Sequence, residues 1–286
     1  MQPKDQALTA VTVDGAFRVI VLRTTQTTRE AARRQEVTRR NAAHLADVLT
    51  GTVLVRLTMA PTYRVQGIVR GVGGRGTLVA DSRPDGSTRG LLRRPGELEE
   101  IEVGEGSLMQ MMRTLPRGDV NQGIIEVPAG GVSPALMNYF HDSEQITAVA
   151  SVGTTLDVDG AIERSGGYIV QLLPEVSRDP LAAMTARLEG AFFREPAAFL
   201  PVLGDEPEVF LARILEGIPF AKTRESAVRF DCGCSMERVL ASLSTLSSDE
   251  VEELARAEEA LHITCDYCGE VYEVSPGSLT GLLEAS

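Results

Sequence analysis

Four cysteines, all near the C-terminus and set in two tight pairs, constrain this chain more than any other feature. They are Cys232-Gly233-Cys234 and Cys265-Asp266-Tyr267-Cys268, separated by 30 residues, and no other cysteine occurs among the 286 residues. Each pair can present two sulfurs from one turn, and folding the intervening segment brings the turns together. Thiolates as sole ligands favour zinc over hard cations, with Zn–S near about 2.3 Å. Four sulfurs leave no open position for a substrate water, so such a site is structural or redox-sensing rather than hydrolytic. Three readings compete: a structural zinc knuckle, an all-cysteine iron–sulfur site, and a thiol switch whose sulfurs close into disulfides as metal leaves. The spacing is not among the usual ferredoxin runs. Cys-x-x-Cys is a redox-active spacing. Cys-x-Cys departs from the two-residue spacing of plain zinc ribbons, which favours the switch without proving it.

Charge divides the chain. Residues 1–178 carry 20 acidic and 20 basic side chains, whereas residues 179–286 carry 20 acidic and 8 basic, so the second part holds the whole net charge of −12. A zinc module in so acidic a segment would repel phosphates, and no nucleic-acid partner is expected. No apolar run reaches 18 residues, so no transmembrane helix and no membrane partner are expected. Met1-Gln2-Pro3-Lys4-Asp5 lacks a basic region leading into an apolar stretch. A secretory leader is therefore not expected, and a reducing cytoplasm is the default compartment, where clustered cysteines bind metal or do redox work.

The length suits more than one domain. Residues 9–13 and 17–22 alternate around Asp14-Gly15, a hairpin signal. A helix is expected from Thr27, with Glu30 completing a capping box, to a stop or interruption at Gly51. Residues 64–70, 77–81 and 88–93 make a three-strand meander. Residues 107–115, with Met109, Met111 and Met112, are expected as a short helix. A strand over 121–127, a helix over 133–145 and strands over 146–158 and 167–173 complete an α+β pattern. Beyond Arg178 come short helices over 181–188, 197–203 and 209–215, interrupted by Gly190, Pro196, Pro201, Pro207 and Pro219. Those breakers forbid one long helix and suggest a weakly stable connector. Helices over 235–246 and 248–259, the latter with a Ser247/Glu250 capping box, then separate the cysteine pairs, and short strands flank the second pair. The expected division is a core domain over 1–178, a helical connector over 179–230 and a small zinc-binding module over 231–286.

Weaker signals do not assemble an enzyme. Gly71, Gly73 and Gly76 match G-x-G-x-x-G, but a strand rather than a helix follows them, so a hairpin loop is the better reading. His44, His141 and His262 are scattered; only His262 stands close enough in sequence to the cysteines to serve as an outer group. Met109, Met111 and Met112 could form an adaptable binding surface, but a core role is favoured. No nucleophile elbow or P-loop occurs, and no catalytic residue is assigned.

Several stretches together resemble one family. Val228-Arg229-Phe230-Asp231-Cys232-Gly233-Cys234-Ser235-Met236-Glu237-Arg238-Val239 resembles the first cysteine motif of the heat shock protein 33 family, the redox-regulated holdase chaperones. Ile263-Thr264-Cys265-Asp266-Tyr267-Cys268, followed by Tyr272, resembles the second. Tyr139-Phe140-His141-Asp142-Ser143-Glu144-Gln145 is similar to the family's Tyr-Phe-x-x-Ser-Glu-Gln segment, and Gly166 to Pro174 resembles the strand that follows it. The family commonly has proline after Ser-Glu-Gln-x, whereas Thr147 stands here. The resemblance spans essentially the whole chain in motif order. It implies one zinc per reduced chain on Cys232, Cys234, Cys265 and Cys268, with the protein inactive. Peroxide or hypochlorous acid would form disulfides Cys232–Cys234 and Cys265–Cys268, release zinc and unfold the module. The connector would loosen, and apolar surface would capture unfolding client proteins without ATP, in a homodimer. The main rival is a constitutive zinc-ribbon adaptor for one partner protein. A thiol oxidoreductase is disfavoured because no βαβ context surrounds Cys265-x-x-Cys268.

Overall fold

In the computed structural model, which describes residues 3–94, 100–174, 178–256 and 259–284, the chain parts into two compact units, Met1–Asp231 and Cys232–Ser286. The first unit opens with the expected hairpin, β1 (Gln6–Thr12) and β2 (Phe17–Arg23), followed by α1 (Thr25–Arg34) and α2 (Arg39–Thr58). β3 (Arg64–Arg70), β4 (Thr77–Ser82) and β5 (Ser87–Arg93) form the expected meander. Then come β6 (Ser107–Thr114), β7 (Val120–Val127), α3 (Val132–Asp142), β8 (Ala148–Leu156) and β9 (Ile162–Leu172). Four helices follow, α4 (Arg178–Leu188), α5 (Ala191–Arg194), α6 (Pro196–Asp205) and α7 (Pro207–Ile214), then β10 (Phe220–Ala227) and β11 (Arg229–Phe230). One sheet runs β10-β1-β2-β9-β8 and the other β11-β5-β4-β3-β6-β7; all pairings are antiparallel except the short β11–β5 pair.

Helix α2 packs against strands of both sheets, against β3, β4 and β5 on one side and β8 and β9 on the other. Leu45, Val48, Leu49, Val53, Leu54 and Val55 are all fully buried, the signature of a helix apolar around most of its circumference. Gly51 does not stop this helix. A Cβ there would sit 3.0 Å from Leu136 Cδ1, so the glycine answers the close approach of α3. The single helix expected from Thr27 is instead two, because Glu36, between α1 and α2, and Arg39, at the start of α2, take left-handed φ angles of 51° and 55°. The expected capping box is absent: Glu30 pairs with Arg33 and Arg34 at 2.7 and 2.8 Å.

Residues 107–115 are a strand, not a helix. Ser107, Met109 and Met111 point inward in strict alternation while Leu108 is exposed, so a period of two overrides the helical preference of methionine. The methionines thus serve the core, as favoured. Gly71, Gly73 and Gly76 lie between β3 and β4, with strand after them, as the hairpin reading requires.

The inner strands of the five-stranded sheet, β1, β2 and β9, are buried on both faces, whereas the edge strand β10 is largely exposed. Ala7, Ile20, Leu22 and Ile169 face the α2 side, whereas Leu8, Val19, Val21 and Val170 face α4 to α7. Tyr168 joins the second face, with its ring edge-on to Phe193, Phe199 and Phe210 and its hydroxyl donating to the Phe193 carbonyl at 2.9 Å. Pro196 and Pro207 occupy first-turn positions of α6 and α7, where a missing N–H costs nothing. Strand β10, which the sequence pattern did not signal, completes the sheet beside β1.

The second unit contains α8 (Met236–Leu243), α9 (Ser248–Ala255), a hairpin of β12 (Leu261–Thr264) and β13 (Val271–Val274), and α10 (Pro276–Glu284). The Ser247/Glu250 capping box is present at α9. Among the described residues of this unit the buried apolar cluster is Leu243, Val251, Val274 and Leu279, a small core for a unit of this length. The α+β class holds throughout. The expected α9 extension reaches Ala257 and Glu258, which lie outside the described residues.

Candidate metal centre

The second unit's hairpin builds half the site. Thr264 pairs with Val271, and the turn between them carries Cys265 and Cys268. Cys265 N–H donates to Glu270 O at 2.8 Å, and Gly269 N–H donates back to Cys265 O at 2.8 Å. Gly269 has φ +73°, the left-handed conformation that lets the chain reverse immediately after the second cysteine. The other half comes from the segment before α8. There Gly233 has φ +60° between Cys232 and Cys234, and Ser235 caps α8 by accepting from Arg238 N.

The four Sγ atoms lie within 4.8 Å of one another. Cys232 and Cys265 approach to 3.5 Å, Cys234 and Cys268 to 3.3 Å, and none of the four is joined in a disulfide. Sulfurs at tetrahedral corners about 2.3 Å from a zinc ion stand roughly 3.8 Å apart, so this cluster matches a zinc cage to within small shifts. Among the described residues, no carboxylate or imidazole belongs to the group. His262 is exposed and stands opposite Glu273 in the hairpin register, so it does not join the site.

Electrostatics point the same way. Burial pushes the Cys265 thiol up, but the N–H groups of Tyr267 and Cys268, with neighbouring thiols, outweigh it and bring it down. At Cys268 burial prevails, reinforced by the Cys234, Cys232 and Cys265 thiols against the Glu270 N–H, and the thiol rises far above its usual range. Without a cation these sulfurs cannot all carry charge; with one among them, all four can. Tyr272 adds a contact the cysteine spacing did not reveal. Its hydroxyl donates to Cys234 Sγ at 3.0 Å. Strand alternation carried the signal, because Tyr272 faces Ile263 on the inner side of the hairpin.

The profile of the Hsp33 protein family matches residues 5–275. The chain belongs to the Hsp33 family. The 33 kDa chaperonin of Gloeothece citriformis is 30% identical, over 98% of this chain and 97% of its own length. That of Syntrophotalea carbinolica is 26% identical, over 98% and 99%. The crystal structure of the 33 kDa chaperonin of Thermotoga maritima, a heat shock protein 33 homolog, superposes with a TM-score of 0.82. It covers 99% of both chains at 21% identity, a likeness of fold. Hsp33 proteins are chaperones rather than enzymes, and this Hsp33 chain carries the four-cysteine cluster that could hold a metal. Among its described residues no helix is long and apolar enough to cross a membrane.

Proposed function

We propose that this chain is a cytoplasmic, redox-regulated holdase that binds unfolding client proteins after its thiol centre is oxidised. Cys232, Cys234, Cys265 and Cys268 would hold one zinc ion, which when bound cross-links the two halves of the second unit and keeps the sulfurs as thiolates. The observation that carries this reading is the convergence of four thiol sulfurs within 4.8 Å in a unit with so small an apolar core. Structural zinc contributes about 10–16 kcal/mol in small modules, so the fold of this unit depends on its sulfurs.

Oxidation uses the same atoms. Two thiolates and one hydrogen peroxide, with two protons, give one disulfide and two waters; the O–O bond breaks as the S–S bond forms. Repeating this at both pairs, Cys232–Cys234 and Cys265–Cys268, consumes every donor, and the unit loses its cross-link. The functional division would then be a core over 1–178, a connector over 179–230 and the switch over 231–286. The oxidised form would act as a homodimer.

The test compares reduced zinc-loaded protein with peroxide-treated protein. Elemental analysis of the reduced protein should give one zinc per chain, and peptide mapping should find the two neighbour disulfides after oxidation. Only the oxidised sample should suppress aggregation of a denatured test protein. Equal suppression by both would sink the switch, and binding of one partner by the reduced form alone would favour the constitutive adaptor.

A further inference from the structure

The first unit holds a cavity of about 770 Å³ alongside β8, far in sequence from the cysteines. Met137, Val149, Leu188, Phe193 and Pro196 give it apolar walls, and Asp47 of α2 stands in its lining. Asp47 accepts one hydrogen bond, from Thr154 Oγ1 to Oδ1 at 2.8 Å. Among the described residues its other oxygen, Oδ2, has no protein donor, and no cation pairs with it. A carboxylate has room for about four hydrogen bonds, so most of the capacity of this half-buried one is left for water or a ligand in the cavity. Burial pushes its carboxyl up to about 7, although the side chain still borders the open cavity.

The remaining charges in the lining are Glu189 and Arg194, both exposed and of opposite sign, which leaves Asp47, once it is ionised above about pH 7, as the net charge of the interior. An anionic ligand would be repelled there. A purely apolar one would seal a carboxylate away from water without a partner, which is costly. At Val152 a polypeptide strand cannot simply add to the β8 edge, because Ser133 Oγ already accepts from Val152 N–H at 2.9 Å and donates to Val152 O at 3.1 Å.

The geometry points to a binding site for an ammonium group on an apolar stem, with Asp47 as its counter-charge and the β8 cavity as the seat of the stem. Free alkylamines and lysine side chains share this chemistry.

The test titrates reduced full-length protein with hexylamine, hexanol and hexanoate, following the Met137 methyl and Gly153 amide resonances. Hexylamine should shift both saturably at one site, and hexanol and hexanoate should not. Asp47→Asn keeps an acceptor for Thr154 and should weaken hexylamine at least about tenfold, as loss of a charged hydrogen bond does. Glu189→Gln, at the exposed rim, should weaken it by no more than about fivefold. A capped Gly-Gly-Lys-Gly-Gly peptide distinguishes the sources: binding comparable to hexylamine assigns the site to a lysine side chain, and binding of hexylamine alone assigns it to a free amine. Absence of saturable hexylamine binding, shifts confined to other residues, or equal binding by a folded Asp47→Asn variant would overturn the assignment.

Discussion

Asp47 illustrates how one residue can oppose the stability of the unit that contains it. Its carboxyl titrates near 7 in the folded chain against an ordinary 3.8. Between these values the unfolded chain has released its proton and the folded chain still holds one, so stability falls as pH rises through this window. A carboxyl raised this far weakens the fold by about 2–4 kcal/mol once partial solvent contact is allowed for. Asp47→Asn should therefore match the parent at pH 4 and exceed it by about that amount at pH 8, read by urea denaturation at each pH; equal stabilities at pH 8 would contradict the burial argument. Tyr272 is the complementary case at the thiol centre. Its hydroxyl gives Cys234 a donor at 3.0 Å, and such outer contacts tune metal affinity. Tyr272→Phe should lower zinc affinity about tenfold in competition with a chelator while leaving the metal stoichiometry at one. An unchanged affinity would mean that the backbone N–H groups alone orient the sulfurs.

At the scale of elements, the helices α4 to α7 are short; prolines start two of them, whereas Pro201, expected as a breaker, lies inside α6 without ending it, and they hold together through Phe193, Phe199 and Phe210 around Tyr168. Gly153 of β8 admits Pro196 so closely that a Cβ there would lie 2.4 Å from the proline's. Gly153→Val should therefore lift α6 and speed amide exchange across α4 to α7, at a cost of about 1–3 kcal/mol, while β3 to β7 keep their protection. Uniformly faster exchange would show that these helices do not open as a separate unit. The same elements show what the sequence pattern could carry. The hairpin around Asp14-Gly15, the meander and the α9 capping box were legible because turn chemistry and alternation are local. Strand β6 is ambiguous in sequence because three methionines suggest helix while the alternation of Ser107, Met109 and Met111 says strand. Helix α2 hid its passage through Gly51, since the reason for that glycine is Leu136 on a helix some 80 positions later in the chain. The four thiols were legible outright, whereas the Asp47 cavity was not, because α2, α3, β8 and α4 to α6 build it from distant segments.

For the whole molecule, the proposed switch requires that events at the sulfurs change what the first unit exposes. The surface at stake is the sheet face of Leu8, Ala10, Val19, Val21 and Val170, now covered by the helices of residues 178–214. Releasing those helices would present contiguous apolar surface on a preformed sheet, the kind of patch that binds unfolded chains. Their short length and internal breakers give them little stability apart from packing, so they are suited to local opening at modest cost. If the folded second unit restrains them, deleting it should release them without any oxidant. A chain ending at Asp231, where the two units part, should then suppress aggregation in its reduced state. It should also exchange amides across residues 179–230 faster than reduced full-length protein, while β3 to β7 remain protected. A truncated chain that stays inactive, with its helices as protected as before, would show that the restraint lies within the first unit. Metal release alone would then not expose the client surface.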